Sequence, residues 1–147
     1  MSKFLDLRTT QNASYANSIA IPISGLGTPE FIGQLGLDVN GASGTIRVGL
    51  YGTVAVQLPL LPLASSITLT VVEGTNVTPQ QGIVYSATQV LEANLAGPTI
   101  LTFNGTRFNA PVPPAGQVLA YTLFITTNAL GLTRVGPESF SAIAVSD

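Results

Sequence analysis

Ile46-Arg-Val-Gly-Leu-Tyr-Gly-Thr-Val-Ala-Val56 is the stretch that decides the fold. Ile46, Val48 and Leu50 alternate with Arg47 and Tyr51, so the two sides of the segment differ sharply in polarity. Alternation with a period of two predicts a β-strand that has one face covered by the protein core. Gly49 and Gly52 lie inside this strand, where glycine marks a bend or a close approach of another group to the backbone.

The same alternation recurs along the chain, and helical spacing does not. It predicts further strands at Tyr15 to Ile23, Phe31 to Val39, Ile67 to Val71, Ile83 to Leu91, Thr99 to Phe103, Arg107 to Val112, Leu119 to Thr126 and Ser139 to Val145. The pattern predicts an all-β protein, a jelly-roll β-sandwich of eight to ten antiparallel strands, with residues 1–147 forming a single domain.

Turn signals separate these segments. Asn104-Gly105 is a dipeptide that suits a type I′ turn, so it predicts a hairpin between two of the strands. Asn40-Gly41 predicts another turn. Pro59 and Pro62 end the strand that begins at Ile46, because proline cannot donate to a ladder of backbone hydrogen bonds. Polar or turn-forming residues over 73–82 and 94–98 predict loops.

The composition excludes several classes of function. Charged residues make up 8% of the chain, the net charge is -2, and no basic run is present, so we expect no nucleic-acid partner. The chain has no cysteine, which excludes disulfides and thiolate metal sites. Leu58 to Ala64 is the longest apolar run, too short to cross a bilayer. Because charges lie near the N-terminus, we expect no secretory signal peptide there.

Catalytic residues are scarce. There is no histidine, and a serine nucleophile would have to use Lys3 as its base. No spacing places two of Asp6, Glu30 and Asp38 on one strand face. Asp38-Val-Asn-Gly41 lacks the other oxygen ligands of a calcium loop. We therefore expect no enzymatic activity, no cofactor and no metal.

The surface character favours self-association. A β protein with so few charges does little to discourage pairing of sheet edges or association of apolar faces. We expect much of its non-core apolar surface to be buried against copies of itself. The simpler explanation for the apolar surplus is a large sandwich core. The residues predicted to mediate self-association are Phe4, Leu5, Leu7, Tyr51, Tyr121 and Phe140, with the strand near Phe4 adding to a neighbour's sheet edge.

Two segments resemble the jelly-roll domain shared by the tumour-necrosis-factor and complement C1q families and by bacterial spore-surface proteins of the exosporium type. They are Ile46 to Val56 and Ser139-Phe-Ser-Ala-Ile-Ala-Val145, where Ala142 replaces the family's usual glycine. The resemblance implies trimers, and in some bacterial members a fibre or a surface layer. It also implies a spore-surface or other extracellular location that is reached without a signal peptide.

These observations predict a non-enzymatic structural protein that self-assembles into a trimer and then into a fibre or layer on a bacterial spore. Its partners would be copies of itself and other surface-layer proteins, with no nucleic acid and no membrane. Two alternatives stay open: a structural component of a virus or phage, and a module that binds a carbohydrate or a receptor.

Overall fold

The protein is a β-sandwich of two antiparallel sheets. The computed structural model describes residues 2–59, 65–75, 82–92 and 97–147, and these contain no helix, and so none that is long and apolar enough to cross a membrane. The strands are β1 (Lys3–Ala13), β2 (Ile21–Pro22), β3 (Glu30–Leu37), β4 (Ile46–Gln57), β5 (Ser65–Glu73), β6 (Ile83–Leu91), β7 (Pro98–Ala110), β8 (Leu119–Thr127) and β9 (Thr133–Ser146).

The strand order confirms the predicted all-β sandwich. One sheet, here called sheet A, has the order β1-β9-β4-β7, with β2 also paired to β9. The other, sheet B, has the order β3-β8-β5-β6. Apart from β5 and β6, the strands that pair along these two orders are not consecutive in sequence, and the chain crosses repeatedly between the sheets. This arrangement is that of a jelly roll.

The core lies between the two sheets and follows the predicted alternation. Val48, Leu50 and Val54 of β4 are fully buried, as the pattern of the opening stretch requires. They pack in one cluster with residues of β8 such as Leu123 and Ile125. Apolar side chains from both inner faces therefore form one continuous core.

The predicted close approach inside β4 is confirmed at Gly52. A Cβ atom at this position would lie 2.1 Å from Cε1 of Phe103, which is far inside van der Waals contact. Glycine therefore lets the Phe103 ring pack directly on the β4 backbone. The ring of Tyr85 stacks on Phe103 with 5.1 Å between centroids and lies over Gly105 in the same way.

The hairpin predicted at Asn104-Gly105 is wrong. Residues 98–110 form one continuous strand that pairs with β4 along its whole length, and Gly105 lies opposite Leu50. The dipeptide permits a turn but does not impose one. The long ladder and the ring of Tyr85 above Gly105 favour the extended form.

The strand predicted from Tyr15 to Ile23 is largely wrong. Asn17 has a φ of 58°, and the Ser18 hydroxyl donates to the Tyr15 carbonyl oxygen at 2.6 Å. These features form a turn, and only Ile21–Pro22 pairs as a strand. The other predicted strands over residues 31–39, 46–56, 67–71, 83–91, 119–126 and 139–145 coincide with β3, β4, β5, β6, β8 and β9.

Several predicted turns lie partly or wholly outside the described residues. Pro62 in the corner after β4 lies outside the described residues. So do most of the polar loop over 73–82 and most of the turn over 94–98. The turn at Asn40-Gly41 is confirmed. Gly41 has a φ of 77°, and the Asn40 amide donates to Asp38 Oδ1 at 3.0 Å.

Candidate assembly surface

Three of the residues predicted for self-association come together on the outer face of sheet A. Phe4 is 60% exposed, Leu7 52% and Tyr51 43%. Phe4 and Leu7 lie in β1, whereas Tyr51 lies in β4, and β9 separates these two strands. The sheet, rather than the sequence, brings the three side chains to one surface.

The strand register arranges this surface in rows. Paired residues of neighbouring strands point to the same face of a sheet. Three rows follow across β1, β9, β4 and β7, namely Phe4-Val145-Arg47-Phe108, Leu7-Ile143-Gly49-Thr106 and Thr9-Ser141-Tyr51-Asn104. The outer face is thus built from apolar, hydroxyl and amide groups with a single charged side chain.

That single charge has a partner. The Arg47 guanidinium forms an ion pair with the Asp147 carboxylate. The backbone amide of Thr45 also donates to this carboxylate at 3.0 Å. The amide hydrogen bond, followed by the charge of Arg47, holds the pKa of Asp147 below its usual value. The face therefore carries no net charge at neutral pH.

The prediction that Tyr121 and Phe140 lie on outward faces is wrong. Tyr121 is 0% exposed and Phe140 1%. Phe140 belongs to the inward set of β9 together with Ala142 and Ala144, whereas the outward set is Ser139, Ser141, Ile143 and Val145. The sequence of β9 is ambiguous because both of its faces mix small and apolar residues.

Leu5 does not lie on the outer face either. The pairing of β1 with β9 is irregular between Phe4 and Asp6, where a β-bulge adds one residue. Leu5 follows the outward-facing Phe4, so it points towards the core and packs against it, and the extra residue then returns Leu7 to the outer face. Sequence alternation alone cannot locate such a bulge, because it shifts the period within the strand.

Phe108 is the main surface residue that the sequence analysis missed. It is 66% exposed and lies opposite Arg47 at the β7 edge of the outer face. The incorrect hairpin placed Phe108 in a separate strand and so hid its alignment with Arg47. Ile143 and Val145 were missed because Phe140 was given the outward position.

A groove opens between the edge strands β6 and β7, where the two sheets are apart. Its volume is about 370 Å³. Ile67, Leu69, Leu101 and Phe103 of the core line it together with Tyr85, and Thr88, Gln89, Thr99 and Thr102 supply polar groups. The core residues in this lining are at most 8% exposed, and the accessible surface of the groove comes from residues such as Thr88 and Ile100.

The opposite side of the sandwich, between β1 and β3, is closed by hydrogen bonds. Asn12 Nδ2 donates to the Ile32 carbonyl oxygen at 2.8 Å, and the Asp38 amide donates to Asp6 Oδ2 at 2.8 Å. The Asp38 amide is the main reason that the pKa of Asp6 is lowered, with the Arg8 guanidinium second. The two sides of the sandwich thus differ, one open and one closed.

Two ion clusters tie the sheets together. Arg134 of β9 donates to Glu138 at 2.7 and 2.5 Å, and lies 3.5 Å from Glu30 of β3. At the β7 side, Arg107 and the Tyr121 hydroxyl both donate to Glu73 at 2.9 Å. Each cluster joins a strand of sheet A to sheet B, which is a structural role.

The candidate base Lys3 forms a hydrogen bond with the backbone. Lys3 Nζ donates to the Gly41 carbonyl oxygen at 2.9 Å, and both groups are exposed. Within the described ranges, no group of three or more histidine, cysteine, aspartate or glutamate residues is placed to hold a metal ion.

Comparisons with known proteins give likenesses to solved structures, including two chains from viral and subviral particles. No family model matches the sequence, and no curated protein matches it. The fold is similar to a chain of the IBDV viral particle, with 12% identity and a TM-score of 0.49 over 99% of this chain and 36% of that chain. It is also similar to a chain of the VP2 subviral particle of infectious bursal disease virus, with 14% identity and a TM-score of 0.44 over 95% and 32%. This chain thus spans about a third of the length of those two chains.

Proposed function

We propose that this chain is a non-enzymatic structural protein that assembles with copies of itself through the outer face of sheet A. The observation that carries the proposal is the alignment of Phe4, Leu7, Tyr51 and Phe108 with Ile143 and Val145 on one surface. Contiguous apolar patches are uncommon on monomeric soluble proteins and mark sites of interaction. A second copy of the same face has the matching chemistry.

Electrostatics supports this choice of partner. Arg47 is neutralised within its own chain by Asp147, so two copies of the face meet without repulsion between like charges. Contacts made mainly by apolar and hydroxyl groups are little affected by salt. The resulting oligomer is expected to persist at high ionic strength.

The size of the face indicates that one contact is not enough. Four strands spaced about 4.8 Å apart, over a height of about eight residues, cover roughly 500 Å². A stable interface of standard size buries about 800 Å² on each partner. An assembly that uses this face therefore needs a second contact.

The form and setting of the assembly follow the resemblance to the tumour-necrosis-factor and C1q jelly rolls. The two segments that carry this resemblance lie in β4 and β9, which are neighbours in sheet A. The resemblance supports a trimer as the first unit and a fibre or layer as its product, together with other surface-layer proteins, on a spore surface or in another extracellular assembly. A virus or phage particle is the alternative setting. Electron microscopy distinguishes the two settings. An open fibre or layer would support the spore-surface or extracellular assembly, and a closed shell would support the virus or phage particle.

A module that binds a carbohydrate or a receptor is the second candidate function. The groove between β6 and β7 favours it, since Tyr85 and Phe103 lie there beside Gln89. A rise in melting temperature on mixing with glycans would support binding. Hydrolytic activity that is lost on changing Lys3 or Asp38 would contradict the non-enzymatic assignment.

The test of self-assembly compares two lysine substitutions by light scattering. Tyr51→Lys places a charge in the middle of the outer face, and we expect it to reduce the mass of the particles in solution. Leu130→Lys changes an exposed residue of the β8–β9 loop and is the matched control that should assemble normally. Equal masses for both variants and the natural chain would contradict a role for this face.

A further inference from the structure

We propose that copies of this chain also join edge to edge, with β7 of one copy pairing antiparallel with β1 of the next. This inference rests on the proposed self-assembly and identifies the second contact that the outer face requires. β7 forms one edge of sheet A, and β1, together with the short β2, forms the other. Unpaired backbone groups at such edges are templates for pairing with another chain.

The strand directions permit this contact between copies that are related by a shift across the strands and by the twist of the sheet. Each strand of sheet A is antiparallel to its neighbour, so β1 runs antiparallel to β7. A copy shifted across the strands therefore places its β1 antiparallel to β7 of the first copy. Each row crosses four strands, edges included, and this even number keeps the alternation of hydrogen-bonded and non-hydrogen-bonded pairs in phase across the junction.

The rows of the sheet then determine the register. Phe4 and Phe108 belong to one row of a single chain, so the same row continues into the next copy. Phe108 at one edge comes to lie opposite Phe4 of the neighbour. Two exposed aromatic side chains become a cross-strand pair, which is a favourable combination on a sheet surface.

The inward-facing row adds a charge match. Arg107 of β7 pairs with Val48, and Asp6 of β1 pairs with Ala144, which in turn pairs with Val48. In the same register, Arg107 lies opposite Asp6 of the neighbouring copy. The guanidinium has five donors, and within its own chain it donates to Glu73 and to the Phe108 carbonyl oxygen. An additional carboxylate is therefore compatible with its existing bonds.

The open groove is on the side where the neighbour would dock. β6 and β7 border the groove, whereas β1 and β3 form the closed side of the sandwich. In the edge-to-edge contact, the closed side of one copy covers the groove of the previous copy. The occupant of the groove is thus a second copy of this chain, which covers exposed lining residues such as Ile100.

Such a contact does not close on itself. The surface that contains β7 and the surface that contains β1 are different, so the interface is heterologous and each added copy presents a new free edge. Because sheets twist, a row of copies joined in this way forms a helical filament.

Disulfide cross-linking tests the register, since the natural chain contains no cysteine. In a Phe4→Cys/Phe108→Cys variant, the two cysteines lie on opposite edges of one sheet, roughly 14 Å apart. They are too distant for a bond within one chain. After mild oxidation with oxidised glutathione, we expect a ladder of covalent multimers on a denaturing gel. Phe4→Cys/Leu130→Cys is the control and should give no ladder.

A second pair of variants tests the contact without cross-linking. Phe108→Glu and Phe4→Lys change exposed side chains, so each variant should fold normally by circular dichroism. Each alone is expected to lose filament growth, and a mixture of the two should regain it in a salt-sensitive form. An assembling protein that gives no ladder would overturn the edge contact only. A natural chain that stays monomeric would contradict both proposals.

Discussion

Arg134 and Glu138 form an ion pair that is almost entirely withdrawn from solvent. The Arg134 side chain is 5% exposed and that of Glu138 is 1%. Asn12 donates to the same glutamate at 2.5 Å, so the pair also links β9 to β1.

Loss of Arg134 should therefore destabilise the protein strongly. Arg134→Met leaves the Glu138 carboxylate buried without a cation, and breaking a buried pair in this way costs about 3–5 kcal/mol. Urea denaturation measures the change in the free energy of unfolding. Arg8→Met, which breaks an exposed pair with Asp6, is the control and should leave that free energy nearly unchanged. If the two variants unfold at the same urea concentration, the buried pair is not a stabilising link.

Gly52→Ala should also destabilise the sandwich. The new Cβ atom would collide with the Phe103 ring, and forcing extra volume into a packed core costs about 1–3 kcal/mol. Thermal unfolding followed by circular dichroism measures the loss. The double variant Gly52→Ala/Phe103→Leu removes the obstructing ring, so its destabilisation should be smaller than the sum of the two single changes. Additive losses would show that the close approach is not the cause.

Acid should weaken the fold through Asp6. Hydrogen bonds and the Arg8 guanidinium lower the pKa of Asp6 from its usual value of 3.8. A lowered pKa contributes stability above the unfolded-state value, and this contribution is lost as the pH falls through the folded-state value. Urea midpoints measured from neutral pH into this acid range should show a decline. The Asp6→Asn variant should show a smaller decline of the urea midpoint over the same pH range. Identical midpoints for the variant and the natural chain at every pH would contradict the contribution of Asp6 to acid sensitivity.

Alkali should weaken the fold through Tyr121. Burial raises the pKa of the Tyr121 phenol above its usual value of 10.0, and the neighbouring Glu73 carboxylate raises it further. A raised pKa contributes stability below the unfolded-state value, which is lost as the pH rises above it. The melting temperature should therefore fall above about pH 10. Tyr121→Phe removes the titrating group and should give a shallower decline; an equally steep decline in the variant would assign the effect to other groups.

The fold could be predicted from the sequence because its main signal is local. Alternation in β4 correctly identifies the buried residues Val48 and Leu50, since each strand keeps one face towards the core. The turn dipeptide at Gly105 gave a wrong hairpin because pairing with Leu50, far away in sequence, outweighs a local preference. Secondary structure could thus be predicted where the local sequence preference and the long-range strand pairing agree.

The candidate surface was only partly predictable. Phe4, Leu7 and Tyr51 are exposed as expected, and their position on a common face depends on the pairing order β1-β9-β4, which no local pattern encodes. Leu5 follows the outward-facing Phe4 and therefore points inward, the bulge after Phe4 places Leu7 on the outer face, and the mixed faces of β9 concealed the inward orientation of Phe140. The low charge and the composition predicted a weakly charged surface for self-association. The register of the strands determines which residues form that surface.

The mass of the natural protein in solution tests self-assembly most directly. Multi-angle light scattering over a wide range of protein and salt concentrations should give a multiple of the chain mass of 15.1 kDa, and this multiple should persist in high salt. A mass of one chain at every concentration would contradict the proposed function.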